Sequence, residues 1–555
     1  MNWFEPALRW YLVLAALTWA FAPGVQWLCQ PLADRGVTIT RPIAMVAAVY
    51  PVWLLASLRL VPFDSRAVVG VVVIAAALGW VFTLRQRNSE RSWMRSLLVT
   101  EIASLVFFAT YLWLRGYTPQ ILGTEKPMDI AFLASNTRAV TMPPPDPWFA
   151  GEPINYYYLG YLLHGSLGRL AQVSPETGFN LALATVFSMT TVSAFGVAWN
   201  VVRPSLGPGV ATASGLFALF AVAISGNLYA PLRLLLQNGQ STVSAWWWDS
   251  IEGIGWRSSR IVCDGPRIDN LCSSPATETI NEFPFFSFLL GDLHPHVMAL
   301  PFTVVVVGLA WNLALKSQER IRTLERARLL RIAITGSIVG SLYALNAWDF
   351  PTYLLLTGFA LYIAVGASIR VGWKPIGLLL AAAIAAWSPF IASYVPPTVA
   401  EPDTMPALIE RLPIVPRLVA AVGLHLGERT SLGEYLTVFG TQYAFGIALV
   451  IAGIHGWNAK ANGFVRTLVM SSVATVVPGL LLSAPVIPLC GIPLAFAIAQ
   501  LREMRSVGLR WFALTLFSLA WILSIGVEIV YVRDVFEDRM NTLFKFYYQS
   551  WTLYG

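Results

Sequence analysis

The stretch EFPFFSFLLGDLHPHVMALP spans residues 282–301 and sets the interpretation of the rest of the chain. It places Asp292, His294 and His296 at alternate positions just before a long apolar run. Pro295 biases His294 toward an extended backbone, in which alternate side chains face the same way. One carboxylate and two imidazoles could therefore converge on one point, as in a metal or catalytic cluster.

A purely structural role fits the same residues. Asp292 or His294 would cap the next helix, and Pro295 would be its first residue. The histidines would then be polar groups at the membrane interface. The stretch alone leaves both interpretations open.

The composition is that of a polytopic membrane protein. Hydrophobic residues make up 56% of the 555 residues and charged residues only 12%, whereas soluble domains carry about 25% charged residues. The net charge of +7 would suggest a nucleic-acid partner in a soluble chain. The excess of Lys and Arg in the cytoplasmic loops of membrane proteins explains it without one. We therefore expect a lipid bilayer and no nucleic acid.

The chain contains about fourteen apolar segments near the ~20 residues that a bilayer requires. Their approximate centres are Ala16, Ala48, Ile74, Val106, Val192, Leu219, Val305, Gly340, Ala360, Ala383, Ile447, Thr475, Pro493 and Leu519. The predicted fold is an all-α transmembrane helical bundle whose extracytoplasmic loops form a lid. We divide it into N-terminal transmembrane helices (1–115), a first outer loop with an interfacial helix (116–179) and a transmembrane core (180–555).

Two clusters of basic residues orient the bundle. They lie at 85–95 and 316–331, and the positive-inside bias places both in the cytoplasm. An even number of spanning segments separates them, which agrees with this placement. The regions left on the outer face are 116–176, 227–296, 393–434 and 532–545. The side of Met1 stays open, and the apolar segment 544–555 leads us to expect that the natural chain continues.

The first outer loop carries two acidic residues, Glu125 and Asp129, soon after a spanning segment. Either could accept a proton from a hydroxyl group or hold a divalent cation. Pro127 argues against a regular helix between them. Alternatively, Glu125 pairs with Lys126 or another base in a solvated loop.

Three consecutive tyrosines, Tyr156, Tyr157 and Tyr158, follow in the same loop. On a helix they would point about 100° apart, so at least one must face protein or substrate. Their rings and hydroxyls suit a sugar or a lipid headgroup, and an interfacial aromatic belt explains them equally well.

The second outer loop carries Arg257 and Arg260 against the positive-inside trend. A phosphate is the natural partner of a guanidinium, and Asp249 or Glu282 is the alternative. Cys263 and Cys272 lie close together in this loop and form a plausible disulfide if the loop is extracytoplasmic.

Two further polar groups fall on the predicted outer face. Asp349 begins a helix, as a substrate contact or only as its cap. Arg539 and Lys545 could bind an anionic headgroup, or nearby carboxylates could neutralise them.

Several of these motifs together resemble the YYY-domain family, an uncharacterised family of polytopic membrane proteins. The matching motifs are EKPMD (125–129), YYY (156–158), the stretch 282–296, NAWDFP (346–351) and RMNTLFKFY (539–547). In organisation the chain is similar to the GT-C glycosyltransferases, which include protein O-mannosyltransferases and oligosaccharyltransferases. Those enzymes use a polyprenyl-phosphate sugar donor and place an acidic residue in an outer loop after an early spanning helix.

The resemblance implies a glycosyltransferase that moves a sugar from a polyprenyl-phosphate donor to an acceptor at the outer face of the cytoplasmic membrane. Asp129 or Glu125 would be the catalytic base, although the Asp-Glu or Asp-x-Asp pair usual in GT-C enzymes is absent. The candidates for binding donor phosphate or substrate are Arg257, Arg260, Arg539, Lys545, Tyr156, Tyr157, Tyr158 and Asp349. From the residues alone, Asp292, His294 and His296 are candidate ligands of a divalent metal ion.

Two other functions fit the sequence. A transporter or flippase of a lipid-linked or polyanionic envelope precursor would place ionisable groups near mid-membrane, where Glu101 and Glu528 are the main candidates. A membrane scaffold would tolerate substitution of the outer polar residues.

Overall fold

The computed structural model describes residues 3–85, 92–236, 253–268, 271–272, 274, 277–315, 326–367, 369–396, 421–455, 461–504, 506–534 and 536–555. Within these ranges the regular structure is almost entirely helical, and the strands are two or three residues long. The predicted all-α class is therefore confirmed. The basic residues at 86–91 and 316–325, and Asp249, lie outside the described residues.

The chain forms two compact units. The first contains Met1–Ile224 and Ser287–Val395, and the second contains Ser225–Phe286 and Pro396–Gly555. The three-part division expected from the sequence stays a prediction.

The helices of the first unit precede and follow the stretch at 282–301. They are α1 (Phe4–Leu28), α2 (Thr40–Ser57), α3 (Ser65–Arg85), α4 (Ser92–Arg115), α5 (Lys126–Arg138), α6 (Leu159–Ala171), α7 (Pro175–Ala223), α11 (Pro295–Leu315), α12 (Arg326–Asn346), α13 (Asp349–Ala364), α14 (Ile369–Ala386) and α15 (Ser388–Ser393). A 3₁₀ turn, Val37–Ile39, leads into α2.

The second unit has helices and short antiparallel strands. Its helices are α8 (Tyr229–Leu236), α9 (Ile254–Arg257), α16 (Leu432–His455), α17 (Ala461–Leu481), α18 (Val486–Glu503), α19 (Leu509–Gly526) and α20 (Met540–Tyr554). The strands are β1 (Arg267–Ile268), β2 (Leu271–Cys272), β3 (Val422–Leu424) and β4 (Val530–Val532), paired β1 with β2 and β3 with β4. Helix α10 (Pro284–Leu290) crosses the boundary between the units in sequence.

Eleven helices of the described residues are long and apolar enough to cross a membrane. The longest, α7, is interrupted at Gly207, whose φ of 81° departs from helical geometry between Pro204 and Pro208. Two shorter apolar helices, Asp349–Ala364 and Gly372–Ala386, add to these. Every predicted segment centre lies inside one of these helices, so the polytopic membrane bundle is confirmed.

Helix α11 is the most buried helix of the first unit. All of its spanning window is buried, and it packs against α7, α12 and α13. The helix begins at Pro295, because proline has no N–H to lose at a helix start. The structural interpretation of the 282–301 stretch predicted this start. The polar cluster described below is present as well, so the two interpretations do not exclude each other.

Helix α6 departs from the sequence expectation. The sequence predicted an interfacial helix in the first outer loop, 116–179. The helix begins at Leu159, and of its 13 residues all except Arg169 and Leu170 are buried. Its neighbours include α1, α5 and α7, so α6 is an internal helix of this unit.

Candidate functional site

Helix α5 places the two candidate acids in different surroundings. The helix starts at Lys126, with Pro127 in its first turn, where proline is tolerated. The expectation that Pro127 prevents a regular helix was therefore wrong. Asp129 lies in the same turn and is fully buried, whereas the Glu125 side chain, at the N-cap position, is 64% exposed.

Asp129 is held by a neighbouring phenol. The Tyr161 hydroxyl of α6 donates a hydrogen bond of 2.5 Å to Asp129 Oδ1. Among the described residues, the other oxygen, Oδ2, has no hydrogen-bond partner although it is buried. A buried carboxylate oxygen without a partner is costly, so a ligand, ion or proton at this position would relieve the cost.

His294 lies beside both acids. Its Nδ1 is 3.0 Å from Glu125 Oε2 and 3.5 Å from Asp129 Oδ1, and the Tyr156 hydroxyl is 3.0 Å from its Nε2. The imidazole therefore bridges the start of α5 and the tyrosine triplet.

Asp129, Asp292 and His294 lie close enough together to hold one metal ion. Their candidate ligand atoms all lie within 4.8 Å of one another, and all three residues are buried. Two carboxylates and an imidazole suit divalent ions such as Mn²⁺ or Zn²⁺. We call these three residues the acid–histidine cluster.

The cluster differs by one residue from the expected ligand set. The sequence suggested Asp292, His294 and His296, and the structure groups Asp129 with the first two. His296 lies in the first turn of α11, with its ring centroid 5.3 Å from that of His294 and a ligand atom within 4.8 Å of one from Asp292. It is a neighbour of the cluster.

The tyrosine triplet precedes α6, and each ring has a different partner. Tyr156 reaches His294, and burial together with the charges of Glu125 and Asp129 raises its pKa well above 10. Burial raises the pKa of Tyr157 to about 12, and its hydroxyl interacts with Tyr394. The Tyr158 hydroxyl accepts a hydrogen bond of 2.9 Å from Trp53. Only Tyr156 therefore touches the cluster.

Two buried cations of this unit were not predicted as site residues from the sequence. Arg115, at the end of α4, donates hydrogen bonds to Asn180, Thr118 and the Gln120 carbonyl, all of them uncharged acceptors. Burial and the charge of Arg115 lower the pKa of Lys126, while Asp292 and Asp129 raise it. Lys126 lies between Glu125 and Asp129 in the sequence, and this position could have suggested it as a site residue. Nothing in the sequence pointed to Arg115.

Gly291 brings Arg115 next to the 282–301 stretch. Its φ is 69°, and an added Cβ would lie 2.6 Å from Cζ of Arg115. On α4, the Tyr111 hydroxyl donates a hydrogen bond of 2.7 Å to the Phe288 carbonyl. The turn before Asp292 therefore contacts two residues of α4, Tyr111 and Arg115.

The four predicted phosphate-binding cations belong to the second unit. Arg257 forms an ion pair with Glu278, and Cζ of Arg260 lies 4.5 Å from the Trp256 ring centroid. Lys545 lies over the Phe544 ring at 4.1 Å. The partner of Arg257 is thus an acid that the sequence did not suggest, while the charge of Glu282, which it did suggest, acts on Arg260.

Two ion pairs hold the Arg539 side chain in place. It is fully buried and pairs at 2.8 Å with both Asp264 and Glu528. Burial lowers its pKa, but these two carboxylates outweigh burial and the net shift is upward. To bind a phosphate, Arg539 would first have to lose two ion pairs.

Two remaining predictions concern Asp349 and the cysteines. Asp349 is buried in the first turn of α13 and accepts a hydrogen bond of 2.9 Å from Asn346. The disulfide between Cys263 and Cys272 is formed, and it closes the β1–β2 hairpin.

The fold and the cluster define a polytopic helical membrane protein with a buried polar site in its first unit. The chain belongs to a family described as uncharacterized membrane protein (DUF2298), whose profile matches residues 47–554. Neither the curated proteins nor the solved structures include a significant match.

Proposed function

We propose that this protein is a membrane glycosyltransferase of GT-C type that uses the acid–histidine cluster as its reaction site. It would transfer a sugar from a polyprenyl-phosphate donor to an acceptor at the outer face of the cytoplasmic membrane. The observation that carries the proposal is Asp129: a fully buried carboxylate with one unpartnered oxygen, beside an imidazole and a second carboxylate. Buried polar groups that converge in this way are the usual starting point for an active-site hypothesis.

Asp129 Oδ2 acts as the general base in this proposal. It accepts the proton of the acceptor hydroxyl as that oxygen forms a bond to the anomeric carbon of the sugar. Tyr161 holds the other carboxylate oxygen, which keeps Oδ2 pointed at the acceptor. General-base catalysis of this type contributes about 10²–10⁴-fold in rate.

The donor phosphate leaves with the electron pair of the broken carbon–oxygen bond. Arg115 and Lys126 are buried cations of the same unit, and in this proposal they stabilise the charge that develops on the leaving group. Asp129, Asp292 and His294 would hold a divalent ion, which would supply Lewis-acid stabilisation to the same phosphate.

The test measures transfer of radiolabel from polyprenyl-phosphate sugars to a membrane acceptor fraction, with and without EDTA. The proposal predicts transfer that EDTA abolishes and added Mn²⁺ restores. Transfer that survives EDTA would support the glycosyltransferase but contradict a role for the metal ion. Absence of transfer from every donor, together with saturable translocation of the intact lipid-linked substrate, would replace the enzyme with a flippase.

One observation bears on the flippase directly. Glu101 of α4 lies within a spanning helix, where ionisable residues often mark transport pathways. However, Arg41 pairs with it at 2.5 Å, and the Tyr11 hydroxyl donates to it at 2.6 Å. A charge neutralised by its neighbours ties α1, α2 and α4 together, which favours a structural role.

A further inference from the structure

A long apolar groove runs between α1 and the second half of α4. Its volume is about 800 Å³, and its walls include Leu8, Leu12, Leu105 and Ala109. Trp113 lines it as well and is 63% exposed, so the groove is open along part of its length. An apolar groove in spanning helices, open on one side, suits a hydrocarbon chain.

The two helices run antiparallel along this groove. Tyr11 of α1 reaches Glu101 and packs against Phe108, while residues 3 and 4 join Trp113 and Tyr117 in the lining. The start of α1 therefore lies beside the end of α4, where α5 and the acid–histidine cluster follow. This end of the groove, which residues 3 and 4 and Tyr117 line, is the end that includes Arg115.

Charged and polar groups close this end of the groove. Arg115 and Asn180 are the polar side chains there, and they are hydrogen-bonded to each other at 2.8 Å. Arg115 packs on Gly291, which directly precedes Asp292 of the cluster. The Arg115 charge also reaches Lys126. Arg115 therefore both lines the groove and lies against Gly291, the residue before Asp292 of the cluster.

We propose that this groove binds the hydrocarbon chain of a polyprenyl phosphate, with the phosphate at Arg115 and Lys126. The inference rests on the proposed function, and it assigns the lipid to a groove and the phosphate to two cations. The apolar chain gains the free energy of burial against apolar walls, and the anionic head meets a guanidinium and an ammonium. The guanidinium has only uncharged oxygen partners among the described residues, so a phosphate would supply its missing counter-charge.

This occupant explains both ends of the groove together. A neutral lipid would leave the buried guanidinium of Arg115 with uncharged partners only among the described residues. Free phosphate would match the cations but would leave the apolar groove without a function. A lipid phosphate satisfies both.

The test uses the full chain in detergent and a polyprenyl phosphate that carries a photoreactive group near the far end of its chain. We expect crosslinks to α1 and α4, and we expect Ala109→Trp, which fills the groove, to weaken binding at least tenfold. The matched control is Ala77→Trp on α3, an exposed position that does not line the groove. It should bind the lipid as the unchanged protein does.

Two competitors separate the contributions of chain and phosphate. Inorganic phosphate alone should compete at least a hundredfold more weakly than polyprenyl phosphate, and the neutral polyprenol should compete more weakly too. Arg115→Gln should weaken lipid binding, and if that variant does not fold, Ala109→Trp still decides. Crosslinks confined to other helices, or equal binding by Ala109→Trp and Ala77→Trp, would contradict the assignment of the hydrocarbon chain to this groove.

Failure of the groove and failure of the proposed function give different results. If transfer is measured but the lipid crosslinks elsewhere, the function stands and the groove is wrong. If the lipid binds in the groove in a manner sensitive to Ala109→Trp but no sugar is transferred, the groove stands and the glycosyltransferase is wrong.

Discussion

Asp129 and Glu125 are four positions apart, yet their surroundings give them different chemistry. Asp129 is fully buried beside Tyr161, while the exposed Glu125 touches His294. Electrostatic interactions are stronger in a low-dielectric interior than in water. We therefore assign the proton transfer to Asp129 and the orientation of His294 to Glu125, a distinction that sequence spacing could not make.

The two histidines of the 282–301 stretch should differ in metal binding. His294→Gln is expected to weaken Mn²⁺ affinity by about 10–100-fold, because it removes one of the three candidate ligands of the proposed metal site. His296→Gln should weaken it less. Calorimetry on the purified protein measures both, and an order of effects opposite to this would move the metal site toward His296.

Lys126 should give substrate binding an alkaline limit. Burial and Arg115 lower its pKa, so Lys126 loses its proton, and its hold on a phosphate, as pH rises through a value below that of an ordinary lysine. Lys126→Arg keeps its charge, since the arginine pKa is above about 12. Polyprenyl-phosphate binding should therefore persist to higher pH in this variant.

A pH titration of lipid binding checks this shift. Lys374→Arg, at an exposed position, is the control and should leave the profile unchanged. Superimposed profiles for Lys126→Arg and the unchanged protein would remove Lys126 from the phosphate site.

At the scale of single elements, the turn at Gly291 controls the position of Arg115. Gly291→Ala places a Cβ at a positive φ and against the guanidinium, whereas Gly123→Ala meets only the positive φ of 76° in open space. Alanine at such a φ costs more than about 1 kcal/mol. Both variants should unfold at lower temperature in detergent, and Gly291→Ala should in addition lose affinity for polyprenyl phosphate. Equal lipid affinity in the two variants would show that Arg115 does not act through this turn.

The helices were predictable from the sequence where apolar length decides, and less so elsewhere. Spanning segments follow from composition, because a bilayer leaves the backbone few alternatives to a helix. Helix α5 was missed because the interpretation of Pro127 depended on where the helix starts. The burial of α6 could not be predicted, since its apolar residues fit a lipid surface and a protein interior equally well.

At the scale of the whole molecule, the second unit depends on a buried ion network. Arg539→Met would leave Asp264 and Glu528 without their cation, at a cost of about 3–5 kcal/mol. We expect a lower unfolding temperature, partly restored by adding Glu528→Gln. Thermal unfolding in detergent measures both. A variant of normal stability that binds donor poorly would return Arg539 to the role of phosphate ligand.

The candidate site depends on contacts that no local pattern contains. Asp129 and His294 meet across 165 positions of sequence, and Arg115 meets Asn180 and Gly291 through packing of α4. The sequence pointed to Asp129, Asp292, His294 and Tyr156 by residue type and spacing alone. It offered equally good cations in the second unit, because charge and spacing do not reveal which cations are already paired.

The most direct measurement compares sugar transfer by Asp129→Asn and Asp146→Asn. Asp146 is an aspartate of the same loop whose carboxylate accepts backbone hydrogen bonds from Trp148 and Phe149. The account predicts that Asp129→Asn folds and loses transfer by at least about 10²-fold, as removal of a general base should, while Asp146→Asn keeps it. Unchanged transfer in a folded Asp129→Asn protein would contradict the central claim.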